Sequence, residues 1–307
     1  MLRNKFRIYI ALLRPNHWFK NFVVFFGSAG AIIYLNINIS IIDFIIKTSV
    51  ITLLACLVSS ANYVMNDIAD AEGDLYHPVK KNRVLPSQKI DKKPLYKLIL
   101  FLLASALIPC LVIFGIKATI ALLLLFIAGI VYNIQPLRLK DIPFLDVITE
   151  SINNPIRILI GWFALTSSSV YPPLAYSLLF WSSGSALMSA KRYAELQFLI
   201  NEHKDSKLFL YRKSFKTYTP LLLLSMVILC LLITIVLLVV LSFEFNMKLI
   251  TAMPLIVLLF IWFLIIVREK NYILKEPESI LIKKPFFSFA TIIVLLVLLS
   301  LTLTHLR

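Results

Sequence analysis

Asn66-Asp67-Ile68-Ala69-Asp70-Ala71-Glu72-Gly73-Asp74 is a dense run of ionisable residues in a chain that is otherwise mostly apolar. Asp67, Asp70 and Asp74 are spaced three and then four residues apart, so on a continuing helix their carboxylates project from one face and repel one another. They also fall toward the C-terminal end of an apolar stretch, where the helix dipole disfavours negative charge. A cation between the carboxylates relieves both penalties. A hard divalent ion such as Mg²⁺ suits the position, because it takes oxygen ligands and is commonly shared between one or two carboxylates and substrate phosphates. The chain then continues into His77-Pro78-Val79-Lys80-Lys81-Asn82-Arg83. Carboxylates that hold a metal, beside Lys and Arg that hold phosphate oxygens, are the two halves of a pyrophosphate site. The plainer reading of the same stretch is a solvated basic loop balanced by its carboxylates.

Three further clusters carry chemistry. Lys191-Arg192-Tyr193-Ala194-Glu195 follows an apolar stretch. A Lys-Arg pair there is ordinarily topogenic, but a cation, a phenol and a carboxylate together can position a phosphate or a sugar hydroxyl. Tyr211 to Tyr218 repeats the mixture of cations and aromatic residues, which also suits an interfacial belt. Arg157 lies inside an apolar stretch, in Asn153-Asn154-Pro155-Ile156-Arg157, where a charge is costly and normally faces a cavity or a partner. Two amides and a helix-kinking proline beside it point to a polar pocket; a structural ion pair with Asp146 or Glu150 is the alternative. Near the start, Arg14-Pro15-Asn16-His17-Trp18-Phe19-Lys20-Asn21 places Lys20 and Asn21 where they can enter the same cavity.

The elements that position these residues are membrane spans. Sixty per cent hydrophobic residues, a mean hydropathy of +0.88 and repeated apolar stretches of about twenty residues match helices crossing about 30 Å of hydrocarbon. The spans fall near residues 21–36, 41–64, 96–114, 118–134, 143–167, 173–190, 220–243, 248–267 and 286–305. Cations concentrate before the first span and after the second, fourth, sixth and eighth, while the opposite loops offer only Lys117, Lys248 and Arg307. Lys- and Arg-rich short loops stay in the cytoplasm, so the expected orientation in the cell membrane has the N-terminus and the aspartates cytoplasmic and the C-terminus outside. The first span reads as retained rather than as a signal peptide, and residues 1–307 as one integral-membrane domain. A net charge of +15 divided among short loops is explained by topology and anionic headgroups, without nucleic acid. Cys56, Cys110 and Cys230 lie in separate spans without His partners, so no disulfide framework or zinc site is implied.

On these residues the chain resembles the UbiA superfamily of intramembrane prenyltransferases, whose members have nine transmembrane helices and an Asn-Asp-x-x-Asp-x-x-x-Asp motif after the second. Asn66, Asp67, Asp70 and Asp74 match that motif at every position, and the resemblance covers essentially the whole chain. Within the superfamily it is most similar to the branch that moves 5-phosphoribose from phosphoribosyl pyrophosphate to a polyprenyl phosphate. The matching pieces are Arg14-Pro15 with Trp18 and Lys20-Asn21, His77-Pro78 with Lys80 and Arg83, Lys140 with Asp146, Arg157 with Gly161, and Lys191-Arg192-Tyr193 with Glu195. Typical members carry a second Asp-rich motif after helix six; here that position is Lys191-Arg192-Tyr193-Ala194-Glu195. One acidic and one basic motif suit one metal-bound pyrophosphate and one separate anionic phosphate. Asn153-Asn154-Pro155 also departs from the family's usual small residues in the fifth span.

The resemblance implies an all-α, polytopic, nine-helix UbiA-like bundle with a polar cavity on the cytoplasmic side. It implies a Mg²⁺-dependent transferase in which Asp67, Asp70 and Asp74 are catalytic and hold the metal, with Asn66 in support. Lys80, Lys81 and Arg83 with His77 would take the leaving pyrophosphate; Lys20, Asn21, Lys140 and Arg157 would face substrate; Lys191, Arg192, Tyr193 and Glu195 would hold the second phosphate. The implied partners are phosphoribosyl pyrophosphate, a polyprenyl phosphate and membrane lipids, with homo-oligomerisation left open. A conventional prenyltransferase acting on an aromatic or glycerol-phosphate acceptor is the alternative enzyme, and a lipid or anion transporter the alternative from another class.

Overall fold

The computed structural model describes residues 2–71, 74, 91–202, 213–244, 252–268, 285–286, 288–289 and 291–292. Every regular element among them is helical. The α-helices are α1 (Leu2–Leu13), α2 (Val23–Leu35), α3 (Ile41–Asp70), α4 (Lys92–Phe114), α5 (Ile116–Asn133), α6 (Leu145–Ser151), α7 (Asn153–Leu165), α8 (Leu174–Glu202), α9 (Pro220–Glu244) and α10 (Met253–Arg268). Short 3₁₀ helices run over Pro15–Phe22, Leu139–Asp141 and Lys213–Lys216. The chain folds as two compact units, one of residues 1–172 with 207–214 and one of residues 173–206 with 215–307.

Local chemistry sets the helix ends in the first unit. Ser40 caps α3, its Oγ accepting the Asp43 amide at 3.0 Å, and Asp91 caps α4 by accepting the Lys93 amide at 3.1 Å. Gly115, at φ 80°, separates α4 from α5. Arg14, at φ 48°, turns the chain out of α1, and Pro15 opens the 3₁₀ stretch that follows.

Helices meet where side chains are smallest. A Cβ at Gly161 would stand 1.9 Å from the Val24 carbonyl oxygen, and one at Gly27 would stand 2.2 Å from that of Ile158, so α2 and α7 cross backbone to backbone. Ser28 Oγ donates to the Gly161 carbonyl at 3.0 Å across the same crossing. Asn62 on α3 lies over Gly129 on α5 and donates to the Leu125 carbonyl at 2.9 Å. Around these contacts Val24, Ile51, Val58, Leu122, Ile160 and Trp162 form the core, while Leu12 of α1 packs with Ala61, Val64 and Leu95. In the second unit, Ala186 and Ala190 of α8 face Val227 and Leu231 of α9, with a Ser182–Thr234 hydroxyl contact of 2.9 Å. Many outward side chains are apolar, Val112 being 80% exposed, as lipid-facing helices require.

Five helical stretches among the described residues are long and apolar enough to cross a membrane: Ile8–Leu35, Ile41–Asp70, Lys92–Phe114, Ile116–Asn133 and Pro220–Glu244. This is a multi-pass membrane protein. The remaining expected spans differ for physical reasons. The stretch 143–167 is two helices, α6 and α7, because Pro155 has no N–H to give the Ser151 carbonyl; Pro155 therefore sits in the first turn of α7 instead of kinking a continuous helix. The sixth span extends through a polar end to Glu202, and α10 has 16 residues. Most of the expected ninth span, 286–305, lies outside the described residues.

Candidate active site

One face of α3 carries Cys56, Ser59, Ser60, Tyr63, Asn66, Asp67 and Asp70, recurring at three- and four-residue intervals. The stretch 14–21 runs antiparallel along that face. Arg14 pairs with Asp67 and lies over the Tyr63 ring, its Cζ 5.5 Å from the centroid. Trp18 Nε1 donates to Ser60 Oγ at 3.0 Å. Asn21 is fully buried; its Oδ1 accepts from Ser59 Oγ at 3.2 Å, and its Nδ2 lies 3.3 Å from Cys56 Sγ. Lys20, half-buried, belongs to the same stretch.

The α2–α7 crossing brings Arg157 to this face. Its guanidinium, 7% exposed, donates from Nε to Asn21 Oδ1 at 2.9 Å and from Nη1 to Asn154 Oδ1 at 3.2 Å. Two amide oxygens are thus among the groups that hold this cation inside a membrane helix.

The other end of the face is acidic. Asp70 Oδ1 accepts from Lys140 Nζ at 2.5 Å and from Arg138 Nη2 at 3.0 Å, while Arg138 Nε reaches Asp141 at 3.1 Å. Lys140 Nζ also lies 3.3 Å from Asn66 Oδ1 and 3.1 Å from Asn133 Oδ1. Charges this close to a helix C-terminus require such partners, because the helix's own carbonyl ends repel Asp67 and Asp70. α3 ends at Asp70, so the three aspartates do not share a continuing helix; Asp74, 1% exposed, lies beyond its end. Among the described residues no three acidic, imidazole or thiol side chains meet as a metal-ligand group. The residues nevertheless fit a hard cation: an ammonium already sits among three side-chain oxygens, and Mg²⁺ needs only one or two carboxylates when water and phosphate complete its shell.

The second unit holds the remaining assigned cluster. Arg192, 1% exposed, pairs with Glu195 at 2.6 Å, one turn along α8; Tyr193 packs against the apolar cluster of that unit; Lys191 is half-buried. His77, Lys80, Lys81 and Arg83 lie outside the described residues.

The profile of the UbiA prenyltransferase family matches residues 18–279. The chain belongs to the UbiA prenyltransferase family. It is 31% identical over 212 residues to a decaprenyl-phosphate phosphoribosyltransferase of Mycolicibacterium smegmatis, covering 68% of this chain and 62% of that protein. A decaprenyl-phosphate phosphoribosyltransferase of Corynebacterium glutamicum is 29% identical, covering 69% of this chain and 60% of the relative. The chain therefore spans about 60% of the length of the curated relatives it matches. A UbiA homolog from Archaeoglobus fulgidus, solved bound to GPP and Mg²⁺, shares the fold with a TM-score of 0.68 at 20% identity, covering 96% of this chain and 99% of that one.

In this UbiA chain the structure adds residues that sequence reasoning had not assigned to the site: Arg14 as the partner of Asp67, Arg138 as the bridge from Asp70 to Asp141, and Asn133 as the third oxygen around Lys140. Arg138 was legible only as a loop cation, whereas Lys140 had been assigned to the site without its partners. Asn133, the last residue of α5, gave no signal beyond being a polar residue at the end of an apolar run.

Proposed function

We propose that the chain transfers 5-phosphoribose from phosphoribosyl pyrophosphate to a polyprenyl phosphate, with Mg²⁺ and with release of pyrophosphate, at the cytoplasmic face of the cell membrane. The observation that carries this reading is the placement of Arg157 on the same polar face as the aspartates. Ser59, which shares Asn21 with Arg157, precedes Asp67 by eight residues, about 12 Å along the helix at 1.5 Å per residue. A buried guanidinium does not suit the apolar chain of a prenyl donor, whereas a second phosphate is what a guanidinium binds. The similarity to decaprenyl-phosphate phosphoribosyltransferases supports the same choice.

When bound, Mg²⁺ would supply charge neutralisation on the donor's pyrophosphate, making it a good leaving group. Asp67 and Asp70 at the end of α3, with Asp74 beyond it, would hold that ion, with Asn66 beside them. Arg14, Lys140, Lys80, Lys81 and Arg83 supply positive charge where negative charge develops on departure. The acceptor is an anionic phosphate monoester, so no strong general base is required, and attack at the anomeric carbon depends on alignment. Arg157, held in place by Asn21 and Asn154, takes a second phosphate, on the donor or on the acceptor. The acceptor's hydrocarbon tail stays in the bilayer.

Prenyl transfer from a prenyl diphosphate is the second reading, favoured by 31% identity over 198 residues to a lycopene elongase/hydratase of Corynebacterium glutamicum. Detergent-solubilised protein with Mg²⁺ and polyprenyl phosphate, offered either labelled phosphoribosyl pyrophosphate or labelled prenyl diphosphate, separates the two. Label reaches lipid from the first donor only, and Asp67→Asn or Asp70→Asn lowers that transfer about 1000-fold. Transfer from the prenyl diphosphate alone would replace this reading with the second.

A further inference from the structure

We propose that Cys56 and Ser59, one turn apart on α3, are positioning residues: between them they set which way the Asn21 carboxamide faces, and through it the plane of the Arg157 guanidinium. This rests on the proposed function only in taking Arg157 as a phosphate ligand. Asn21, Cys56 and Ser59 are 0%, 4% and 4% exposed, so water does not compete for the bonds among them and Asn21 presents no open surface to a substrate.

A carboxamide has two unlike ends, an oxygen that accepts and an amine that donates. Ser59 Oγ donates to Asn21 Oδ1 at 3.2 Å, while Cys56 Sγ accepts from Asn21 Nδ2 at 3.3 Å. The thiol in turn donates to the Trp18 carbonyl at 3.9 Å, which leaves its lone pairs for the amide. That carbonyl is held by the same face of α3, because Trp18 Nε1 donates to Ser60 Oγ at 3.0 Å and Ser60 Oγ donates to the Leu13 carbonyl at 2.9 Å. Arg157 Nε then reaches Asn21 Oδ1 at 2.9 Å, on the oxygen that Ser59 also marks. Turning the carboxamide over would set its amine against the guanidinium N–H, two donors face to face, and would withdraw the acceptor from Ser59. The pattern of donors and acceptors on α3 therefore favours one orientation. A guanidinium is a rigid planar fork whose hold on a phosphate depends on where that plane lies. Asn21 touches its Nε edge, so a tilt of the carboxamide becomes a tilt of the fork.

The test is a set of double-mutant cycles on full-length protein in nanodiscs, read as transfer rate at saturating and at limiting substrate. Cys56→Ala removes the acceptor from the amide and is expected to lower transfer about tenfold, whereas Cys56→Ser, which keeps a group that accepts and donates, stays within about threefold of wild type. The loss falls on the KM of whichever substrate has its KM raised by Arg157→Met. In an Arg157→Met background Cys56→Ala lowers transfer less than about twofold further, and Ser59→Ala behaves in the same way, because the group they position has gone. A packing role predicts otherwise: Cys56→Ser and Cys56→Ala lose alike, and each change lowers transfer by the same factor with or without Arg157. Either result overturns the proposal. Ser59→Ala deletes one hydroxyl from a helix and keeps the cycle decisive if Cys56→Ala folds poorly. Each cycle compares variants with a single donor, so a wild type that uses a prenyl diphosphate and ignores phosphoribosyl pyrophosphate defeats the donor assignment, while the cycles run with that donor still decide this proposal.

Discussion

At the Asp70 end of α3, carboxylates meet cations delivered from residues 14, 138 and 140; eleven residues back, at Ser59, the same face meets Arg157 through the amide oxygen of Asn21, with Asn154 also accepting from the guanidinium. The two ends are about 17 Å apart along the helix axis. The first is built from full charges of opposite sign in direct ion pairs. The second holds a guanidinium in place through two amide oxygens, a planar donor of the kind that binds phosphate. One face of one helix therefore carries an ion-paired acidic end and an end that meets a buried guanidinium, the two places the proposed reaction would use.

The strongest way to break this comparison is to remove the fixed charge. Arg157→Met is expected to lower phosphoribosyl transfer about 100-fold, with Arg157→Lys recovering little, since an ammonium cannot hold both amide oxygens in the planar arrangement of the guanidinium. Separate titrations of donor and acceptor sharpen it. A raised KM for phosphoribosyl pyrophosphate places the donor's 5-phosphate at Arg157; a raised KM for the polyprenyl phosphate places the acceptor there. Unchanged KM values with normal turnover would remove Arg157 from the site. In each case Mn²⁺ binding at the Asp70 end is expected to hold, because the two ends are about 17 Å apart along the helix.

What was legible in the sequence was local. The three-then-four spacing of Asp67, Asp70 and Asp74, the cost of Arg157 in an apolar run and the helical membrane architecture depend on neighbours along the chain. The structure confirmed the helical architecture and placed Asp67 and Asp70 one turn apart at the end of α3. The partners of those carboxylates were not legible, because Arg14 meets Asp67 across 53 positions and Lys140 meets Asp70 across 70. Such pairs exist only once α3, α5 and the 14–21 stretch have packed. Arg192 and Glu195 show the converse: three residues apart on α8, they pair with each other, a contact the spacing alone permits.

The crossing of α2 with α7 supports the Arg157 end specifically. Gly161→Ala puts a methyl group 1.9 Å from the Val24 carbonyl oxygen, where backbone must move. The expected cost is about 1–3 kcal/mol, read as a lower thermal unfolding midpoint in detergent. The accompanying shift separates Asn21 from Arg157, so transfer should fall further than stability alone accounts for. Mn²⁺ binding should change little. Equal losses at both ends would mean that the crossing supports the unit as a whole.

The smallest effect is expected at Lys117, near the start of α5, with Asn133 at the helix's other end. Its ammonium donates to the carbonyls of Ser167 at 3.0 Å and Ser168 at 2.6 Å, tying down the stretch that follows α7. Lys117→Met removes these bonds at a solvent-accessible position, so the loss of stability should be about 1 kcal/mol. Lys117 and Asn133 are 16 residues apart on α5, about 24 Å along the helix, so Lys117 is far from the Asn133 and Lys140 contact. A charge effect over that distance is screened, and an effect on transfer would have to travel through α7 to Arg157. Unchanged transfer with a slightly lower unfolding midpoint is therefore the expected result. A variant that loses transfer while keeping its midpoint would mean that the stretch after α7 controls where Arg157 points, and the fixed end of the face would then not be fixed.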